Sequence, residues 1–490
     1  MTIETIQAEF TAGGLTAESL MRAVQARIAV FEPAYNAFVF LNPDALDQAR
    51  HIDSRRAAGK PLGPLAGIPV AVKDSVDVAA MPTTCCWDRL APARGGYGLI
   101  PERDAPAVAR LRRAGAIIVG KTNTPAFSAA QRTTTSWAGT TYNAVDRRLM
   151  PAGSSSGSAT AVSAGFAVVG VAEETGGSIQ NPAGAQSLVA IRPTFGLTPN
   201  TGVAPMAAST RDVVGPHAKS VRDAAWMLDV MAGYTVEDPK TLAGLDRIPQ
   251  GGYGRDLRPD GLRDKRLGTF GPGWRTEPLS PGIVSQYDRA LGQIASLGAT
   301  MVDDPFKDTP FASYASRLGD LSVLESIIYD FGVYLRRNPS FGVASFAELA
   351  QRAGADPFDE GQPLHFMRDH IRSTADASPP DLVEFIAARR WYLAAFGDVM
   401  AAHQLDGLVF PQMMAEVPPL VGNAPYLATA TQAVNIAGLP GVVVPAGRLA
   451  GGSPFALIFI GRPWSEAALL SMAYAYEQGW PSRVTPVLRA

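Results

Sequence analysis

One glycine- and serine-rich stretch constrains the fold of this chain more than any other feature. It runs from Pro151 to Pro182 and reads PAGSSSGSATAVSAGFAVVGVAEETGGSIQNP. A Ser/Gly cluster lies at each end, separated by an uncharged segment of small residues, 159–171. Glycine turns let the backbone approach a bound molecule, and a hydroxyl on such a turn can be presented to a substrate. Alone, the stretch is more typical of two loops joined by a buried helix, so its function depends on the rest of the chain.

Composition narrows the class of protein. The chain has 490 residues, 47% of them hydrophobic and 18% charged, with a formal net charge of −2. This is typical of a globular protein with a large core, and it gives no electrostatic reason to expect nucleic acid or a membrane as partner. The N-terminus does not resemble a signal peptide, and no apolar run is long enough to span a membrane. We therefore predict a cytoplasmic protein without a nucleic-acid or membrane partner; its two adjacent cysteines, Cys85 and Cys86, fit a reducing compartment.

Helical and strand patterns alternate along the chain, which predicts an α/β fold with a largely buried sheet. Helices are predicted over 15–32, 43–58, 104–114, 220–232, 281–296 and 465–478, and strands over 67–74, 116–119, 408–411, 441–445 and 455–460. The section 305–400 is helical in character and carries aromatic residues that we interpret mainly as core. They are Phe311, Tyr314, Tyr329, Phe331, Tyr334, Phe341, Phe346 and Phe366.

Two motif matches lack the flanking elements that each motif requires. Residues 115–122 fit the P-loop spelling, but an apolar strand occupies the variable positions, where a P-loop needs its strand before the motif. Residues 153–157 fit the G-x-S-x-G nucleophile elbow with Ser155 at its centre, but no apolar strand precedes them and no convincing histidine follows. The five histidines are scattered and the cysteine pair has no spaced partner, so we predict no metal site.

A lysine and several serines remain as candidates for chemistry. A serine hydroxyl becomes a good nucleophile only when a base takes its proton. A lysine in water has a pKa of about 10.4, but an apolar site disfavours the ammonium and makes a neutral lysine base accessible. Lys73 ends the apolar strand IPVAV and is the best-placed base. The alternative is a lysine that reaches solvent from the end of a strand.

Six segments together resemble the amidase signature family, serine hydrolases that act mainly on amides. The segments are GIPVAVKDSVDVAAMPTT (67–84), DAPAVARLRRAGAIIVGKTNTPAF (104–127), AGSSSGSATAVSAG (152–165), EETGGSIQNPAGAQSLVAIRPTFG (173–196), RDVVGPHAKSVRDAAWMLDVMAG (211–233) and FIGRPWSEAALLSMAYAYEQ (459–478). The likeness covers about 15–233 and 405–480 and is faint between about 235 and 400.

The resemblance implies a catalytic triad. Ser178 would attack the carbonyl, Ser154 would relay the proton, and Lys73 would be the base. The family holds the relay serine on a cis peptide, here expected between Gly153 and Ser154. The backbone N–H groups of residues 175–178 (Thr175, Gly176, Gly177 and Ser178) would form the oxyanion hole, and Ser155 would support Lys73 or Ser154 by hydrogen bonding.

The chain departs from the family pattern at four positions near these residues. Ala152 and Ser156 stand where glycine is usual, Glu174 stands where aspartate is usual, and Gln180 replaces a common arginine. The nucleophile, relay and base are all retained. The departures therefore concern loop geometry and an ion pair near the nucleophile.

The family likeness also implies the architecture. We expect one domain, 1–490, with a large twisted mixed β-sheet covered by helices on both faces. Its parts would be N-terminal helices at about 1–62, a core at about 63–233 and 405–480, and a variable cap at about 235–400.

The expected reaction is hydrolysis of a carbon–nitrogen bond in an amide, an anilide or a carbamate, with ester hydrolysis as a side activity and no cofactor. The alternative is a glutaminase-type subunit of a tRNA-dependent amidotransferase. The departures and the faint middle region favour a stand-alone enzyme; a homodimer is left open. We expect a small apolar or aryl amide as substrate, bound by Trp137, Tyr142 and Met206.

Overall fold

The computed structural model describes residues 1–135, 137–313, 326–371 and 378–490. Within them, α-helices span Ile3–Ala12, Ala17–Tyr35, Ala45–Ala57, Pro106–Arg113, Ser156–Ser163, Gln180–Ala185, Val221–Met231, Pro281–Ser296, Ile327–Arg337, Phe346–Ala353, Val383–Ala402, Thr431–Ala437 and Glu466–Gly479. The predicted helices are confirmed to within a few residues, because cap residues mark several of their starts. The side chain of Thr16, for example, accepts a hydrogen bond from the backbone of Ser19.

Thirteen strands lie in the described residues. They are β1 (Phe38–Leu41), β2 (Pro69–Lys73), β3 (Ile117–Thr122), β4 (Thr134–Thr135), β5 (Gly139–Thr140), β6 (Val169–Glu174), β7 (Val189–Arg192), β8 (Val213–Ala218), β9 (Arg266–Thr269), β10 (Thr300–Val302), β11 (Gly407–Pro411), β12 (Gly441–Arg448) and β13 (Pro454–Ile460). Eleven form one sheet in the order β1-β3-β2-β6-β8-β7-β12-β13-β11-β9-β10. β2 runs parallel to β3 and β6, whereas β6 and β8 are antiparallel. The predicted large mixed sheet flanked by helices is therefore confirmed.

The glycine- and serine-rich stretch differs from the expected pair of loops joined by a helix. The helix Ser156–Ser163 is followed by the buried strand β6, which was not predicted. Small residues carry little periodic signal, so the strand is recognisable only from its place between β2 and β8. This arrangement puts Lys73 and Glu173 at the carboxyl ends of neighbouring parallel strands, the edge at which open α/β sheets bind ligands.

The middle of the chain contributes to two apolar clusters. Phe311 packs in the main core, whereas Phe331, Phe341 and Phe346 belong to a second cluster with residues of 85–99 and 204–206. Phe366 is 56% exposed, and Tyr314 lies outside the described residues. The section 235–400, predicted as a cap, also supplies β9 and β10 to the central sheet.

No helix in the described parts of the chain has the length and apolar character needed to cross a bilayer.

Candidate active site

The predicted base and relay are in direct contact. Lys73 ends β2 and is fully buried. Its Nζ donates a hydrogen bond to Ser154 Oγ at 2.6 Å. The Gly153–Ser154 peptide bond is cis, as the family resemblance implies. Thr124 Oγ1 donates to the Ser154 carbonyl at 2.8 Å, so both the side chain and the backbone of the predicted relay residue are held.

Glu173 contributes two further acceptors to the lysine. Lys73 Nζ lies 2.8 Å from Glu173 Oε2 and 3.3 Å from the Glu173 carbonyl oxygen. The Ser155 hydroxyl donates to the same carbonyl at 3.0 Å. Ser155 therefore contacts the backbone that supports Lys73, rather than Lys73 or Ser154 directly.

The predicted nucleophile lies on the loop between β6 and the helix Gln180–Ala185. Ser178 is half-buried, and its carbonyl accepts a hydrogen bond from the backbone N–H of Ser155 at 3.3 Å. Gly177 has a φ of 117°, a conformation that favours glycine. This backbone hydrogen bond brings together the two Ser/Gly clusters, which are well separated in the sequence.

Glu174 fixes the chain immediately after Ser178. Its Oε2 accepts hydrogen bonds from the backbone N–H groups of Ile179 at 2.7 Å and Gln180 at 3.0 Å. Its Oε1 accepts from Asn435 Nδ2 at 2.7 Å and lies 3.8 Å from Arg192 Nε. The missing arginine at position 180 is therefore offset by a cation from β7, so the departure at this position does not leave the carboxylate unpaired.

A second carboxyl group faces Glu173 across a threonine hydroxyl. Thr175 Oγ1 lies 3.1 Å from Glu173 Oε1 and 2.7 Å from Asp212 Oδ1. Burial and the nearby Glu173 carboxylate raise the pKa of Asp212 to about 7. Asp212 Oδ2 accepts hydrogen bonds from the backbone N–H groups of Met206 and Ala207, both at 3.0 Å. These bonds link the site to Met206, one of the residues predicted to bind substrate.

The three predicted substrate residues lie in different surroundings. Met206 is buried in the second apolar cluster. Trp137 is half-buried in the turn between β4 and β5. Tyr142 lines a cavity of about 670 Å³ together with Arg147 and Arg448, and this lining includes none of the three triad residues. Of these three residues, Met206 is therefore the one with a hydrogen bond to the site among the described residues, from its backbone N–H to Asp212.

Sequence reasoning missed Glu173 and Asp212. Glu173 is adjacent to the noted Glu174, but its contact with Lys73 spans 100 residues. No local spacing signals such a pair, and only the parallel pairing of β2 with β6 brings it together.

Comparison with known proteins places the chain among enzymes that hydrolyse carbon–nitrogen amide bonds. The family model named Amidase matches residues 19–470, and the chain belongs to this family. The resemblance found in the sequence is thereby confirmed.

Relatives of two kinds cover nearly the whole chain. A glutamyl-tRNA(Gln) amidotransferase subunit of Chloroflexus aurantiacus is 33% identical over 98% of this chain and 96% of its own length. The protein of the same name from Symbiobacterium thermophilum is 31% identical, over 96% and 94%. Among solved structures, the native peptide amidase from Stenotrophomonas maltophilia is similar with a TM-score of 0.85 and 32% identity, covering 100% of this chain and 99% of that one.

These relatives correct one prediction. The expectation of no nucleic-acid partner is wrong, because the amidotransferase subunits are named for an enzyme whose substrate is a tRNA. That expectation rested on net charge. Net charge averages over the whole surface, so it excludes neither a local basic region nor a nucleic acid held by a partner protein.

Proposed function

We propose that the chain hydrolyses an amide through an acyl-enzyme formed on Ser178. The contact of 2.6 Å between Lys73 Nζ and Ser154 Oγ carries this proposal. Neutral Lys73 takes a proton from the Ser154 hydroxyl, and Ser154 in turn takes the proton of the Ser178 hydroxyl. Ser178 Oγ attacks the carbonyl carbon as it loses this proton. The relay runs backwards to protonate the leaving nitrogen. Water then attacks the acyl-enzyme by the same route, and the acid is released.

The loop before Ser178 stabilises the charge on the carbonyl oxygen. The backbone N–H groups of residues 175–178 are the proposed donors, and loss of one such donor typically costs about 3–4 kcal/mol of transition-state stabilisation. Gly177 supports this role because its positive φ turns the backbone in a way that a side chain would resist. Glu174 supports it by accepting hydrogen bonds from the backbone N–H groups of Ile179 and Gln180, the two residues after Ser178.

Two substrates fit this chemistry. The first is glutamine, which the chain would hydrolyse to supply ammonia within an amidotransferase that acts on glutamyl-tRNA. The curated relatives, similar over nearly their whole length, support it and reverse the preference for a stand-alone enzyme drawn from the sequence. The second is a peptide amide hydrolysed by the chain alone, supported by the likeness to peptide amidase.

The two candidates differ in what the purified chain does by itself. The experiment incubates the chain with glutamine, with C-terminally amidated peptides, and with para-nitroanilides and carbamates, and measures released ammonia or amine. Turnover of amidated peptides by the chain alone supports the second candidate. Glutamine hydrolysis that appears only after addition of the other amidotransferase subunits supports the first. Undiminished turnover by Ser178→Ala contradicts the acyl-enzyme in both cases.

A further inference from the structure

Lys73 has the hydrogen-bond partners of an ammonium group. Its Nζ donates to Ser154 Oγ at 2.6 Å, to Glu173 Oε2 at 2.8 Å and to the Glu173 carbonyl oxygen at 3.3 Å. An ammonium has three protons and no lone pair, so three acceptors satisfy it completely. Lys73 can therefore accept the Ser154 proton only after the site has lost one proton.

We propose that Glu173 is a positioning residue that holds Lys73 in its ammonium form and so sets the pH above which the site can activate Ser178. The inference rests on the proposed function. The side chains of Lys73 and Glu173 are 0% and 1% exposed. Without water to screen it, a carboxylate at this distance strongly favours the charged lysine.

The threonine between the two carboxyl groups indicates which of them carries the charge. Thr175 has one hydroxyl proton, but its Oγ1 lies within hydrogen-bond distance of both Glu173 and Asp212. Both contacts are hydrogen bonds at once only when one of the carboxyl groups is protonated. Burial and the Glu173 carboxylate raise the pKa of Asp212, so Asp212 is the carboxyl group that can supply this proton while Thr175 donates to Glu173.

The other ionisable groups around the pair have partners of their own or stay neutral. Burial and, to a smaller extent, the charge on Lys73 lower the pKa of His217 on β8 to about 4. Glu174 faces Arg192 at 3.8 Å. Next along the chain from the lysine, Asp74 Oδ1 lies 3.9 Å from Lys121 Nζ. Glu173 is therefore the described carboxylate in direct contact with Lys73.

Glu173→Gln keeps the shape of the side chain and removes its charge. Burial then acts on Lys73 without compensation and disfavours the ammonium. The acid limb of the pH profile for Ser178 reactivity should move to lower pH by about one unit or more. Glu173→Asp keeps the charge, and its limb should lie closer to that of the wild type.

The test measures labelling of Ser178 by a fluorophosphonate, which requires no knowledge of the natural substrate. Ser178 Oγ forms a bond to phosphorus, fluoride leaves, and the hydroxyl proton passes through Ser154 to Lys73. Labelling rates are taken by mass spectrometry of the Ser178 peptide from about pH 5 to about pH 10. Asp212→Asn is the matched comparison. It removes the neighbouring carboxyl group, which reaches Glu173 only through Thr175, but not the one that contacts Lys73, so it should move the limb less than Glu173→Gln does.

An acid limb that lies lower in Glu173→Gln than in both the wild type and Asp212→Asn supports the inference. An unmoved limb in folded Glu173→Gln overturns it, as does a limb that moves only in Asp212→Asn. Loss of labelling at every pH in folded Glu173→Gln also overturns it, since Glu173 would then be an obligatory proton acceptor. Absence of label on Ser178 in the wild type would instead contradict the proposed function itself.

Discussion

Glu174 and Arg192 form a fully buried ion pair in which Glu174 Oε1 lies 3.8 Å from Arg192 Nε. The other carboxylate oxygen accepts the backbone N–H groups of Ile179 and Gln180. One side chain thus connects the strand β7 to the first residues after the proposed nucleophile Ser178. The position of Ser178 therefore depends on a carboxylate to which the proposed mechanism assigns no proton transfer.

Glu174→Gln should destabilise the protein and reduce activity together. The glutamine NH₂ group would face N–H donors that now bond to the Glu174 carboxylate, and Arg192 would lose the carboxylate that lies 3.8 Å away. Loss of one partner of a buried ion pair costs about 3–5 kcal/mol, which urea denaturation would measure. The exposed Glu9→Gln is the control and should change the free energy of unfolding by less than about 0.5 kcal/mol. Equal effects of the two variants would contradict the structural role of Glu174.

The two glycines before Ser178 should respond differently to alanine. A Cβ on Gly177 would lie 2.6 Å from Asn181 Nδ2 and 2.9 Å from Thr431 Cγ2, at a φ of 117°. A Cβ on Gly176 would meet no heavy atom within 4 Å. We expect Gly177→Ala to store about 1–3 kcal/mol of backbone strain and to lower kcat about a hundredfold by displacing oxyanion donors. Gly176→Ala should retain most activity, and steady-state kinetics of both variants would reveal a reversed order.

Replacing the adjacent serines Ser154 and Ser155 by alanine should slow acylation to different extents. Ser154 contacts Lys73 directly, so Ser154→Ala should slow acylation by about 10²–10⁴-fold, the usual contribution of a proton-transfer group. Ser155 Oγ contacts the Glu173 backbone at 3.0 Å. Its removal should cost this hydrogen bond and the longer one that Ser155 Oγ accepts from the Glu173 N–H at 3.4 Å, or about fivefold to tenfold in rate. Single-turnover acylation rates measure both, and a larger effect of Ser155→Ala would assign the relay to the wrong serine.

The sequence predicts those parts of the fold and site that depend on local pattern. The apolar run before Lys73 predicts β2, and a threonine cap predicts the helix Ala17–Tyr35. The sequence does not predict the strand β6, because small residues precede it along the chain and apolar and polar residues do not alternate clearly there. Contacts between distant segments were also missed. The partnership of Lys73 with Glu173 follows from strand order, which no local pattern encodes.

The proposed triad illustrates the same division. Its members Lys73, Ser154 and Ser178 follow from a family resemblance over many segments. Asp212 lies in one of these segments, 211–233, but the resemblance assigns it no role. Asp212 immediately precedes β8, and the antiparallel pairing of β8 with β6 brings it to Thr175. Charged groups that act on a catalytic residue from another element therefore need the three-dimensional structure.

The stability of the protein should fall in acid partly through His217. Its Nε2–H donates to the Ile179 carbonyl at 2.8 Å, while Nδ1 is buried without a hydrogen-bond partner among the described residues. Burial lowers the pKa of His217 from 6.5 to about 4. The unfolded chain therefore binds a proton between these values and the folded chain does not, so stability is lost as the pH falls from about 6.5 to about 4, by about 3 kcal/mol. His217→Gln can keep the hydrogen bond but does not titrate, so urea denaturation should show a correspondingly smaller loss in this window. The exposed His51→Gln is the control and should keep the wild-type pH dependence, whereas equal slopes for wild type and His217→Gln would show that His217 is protonated in the folded state.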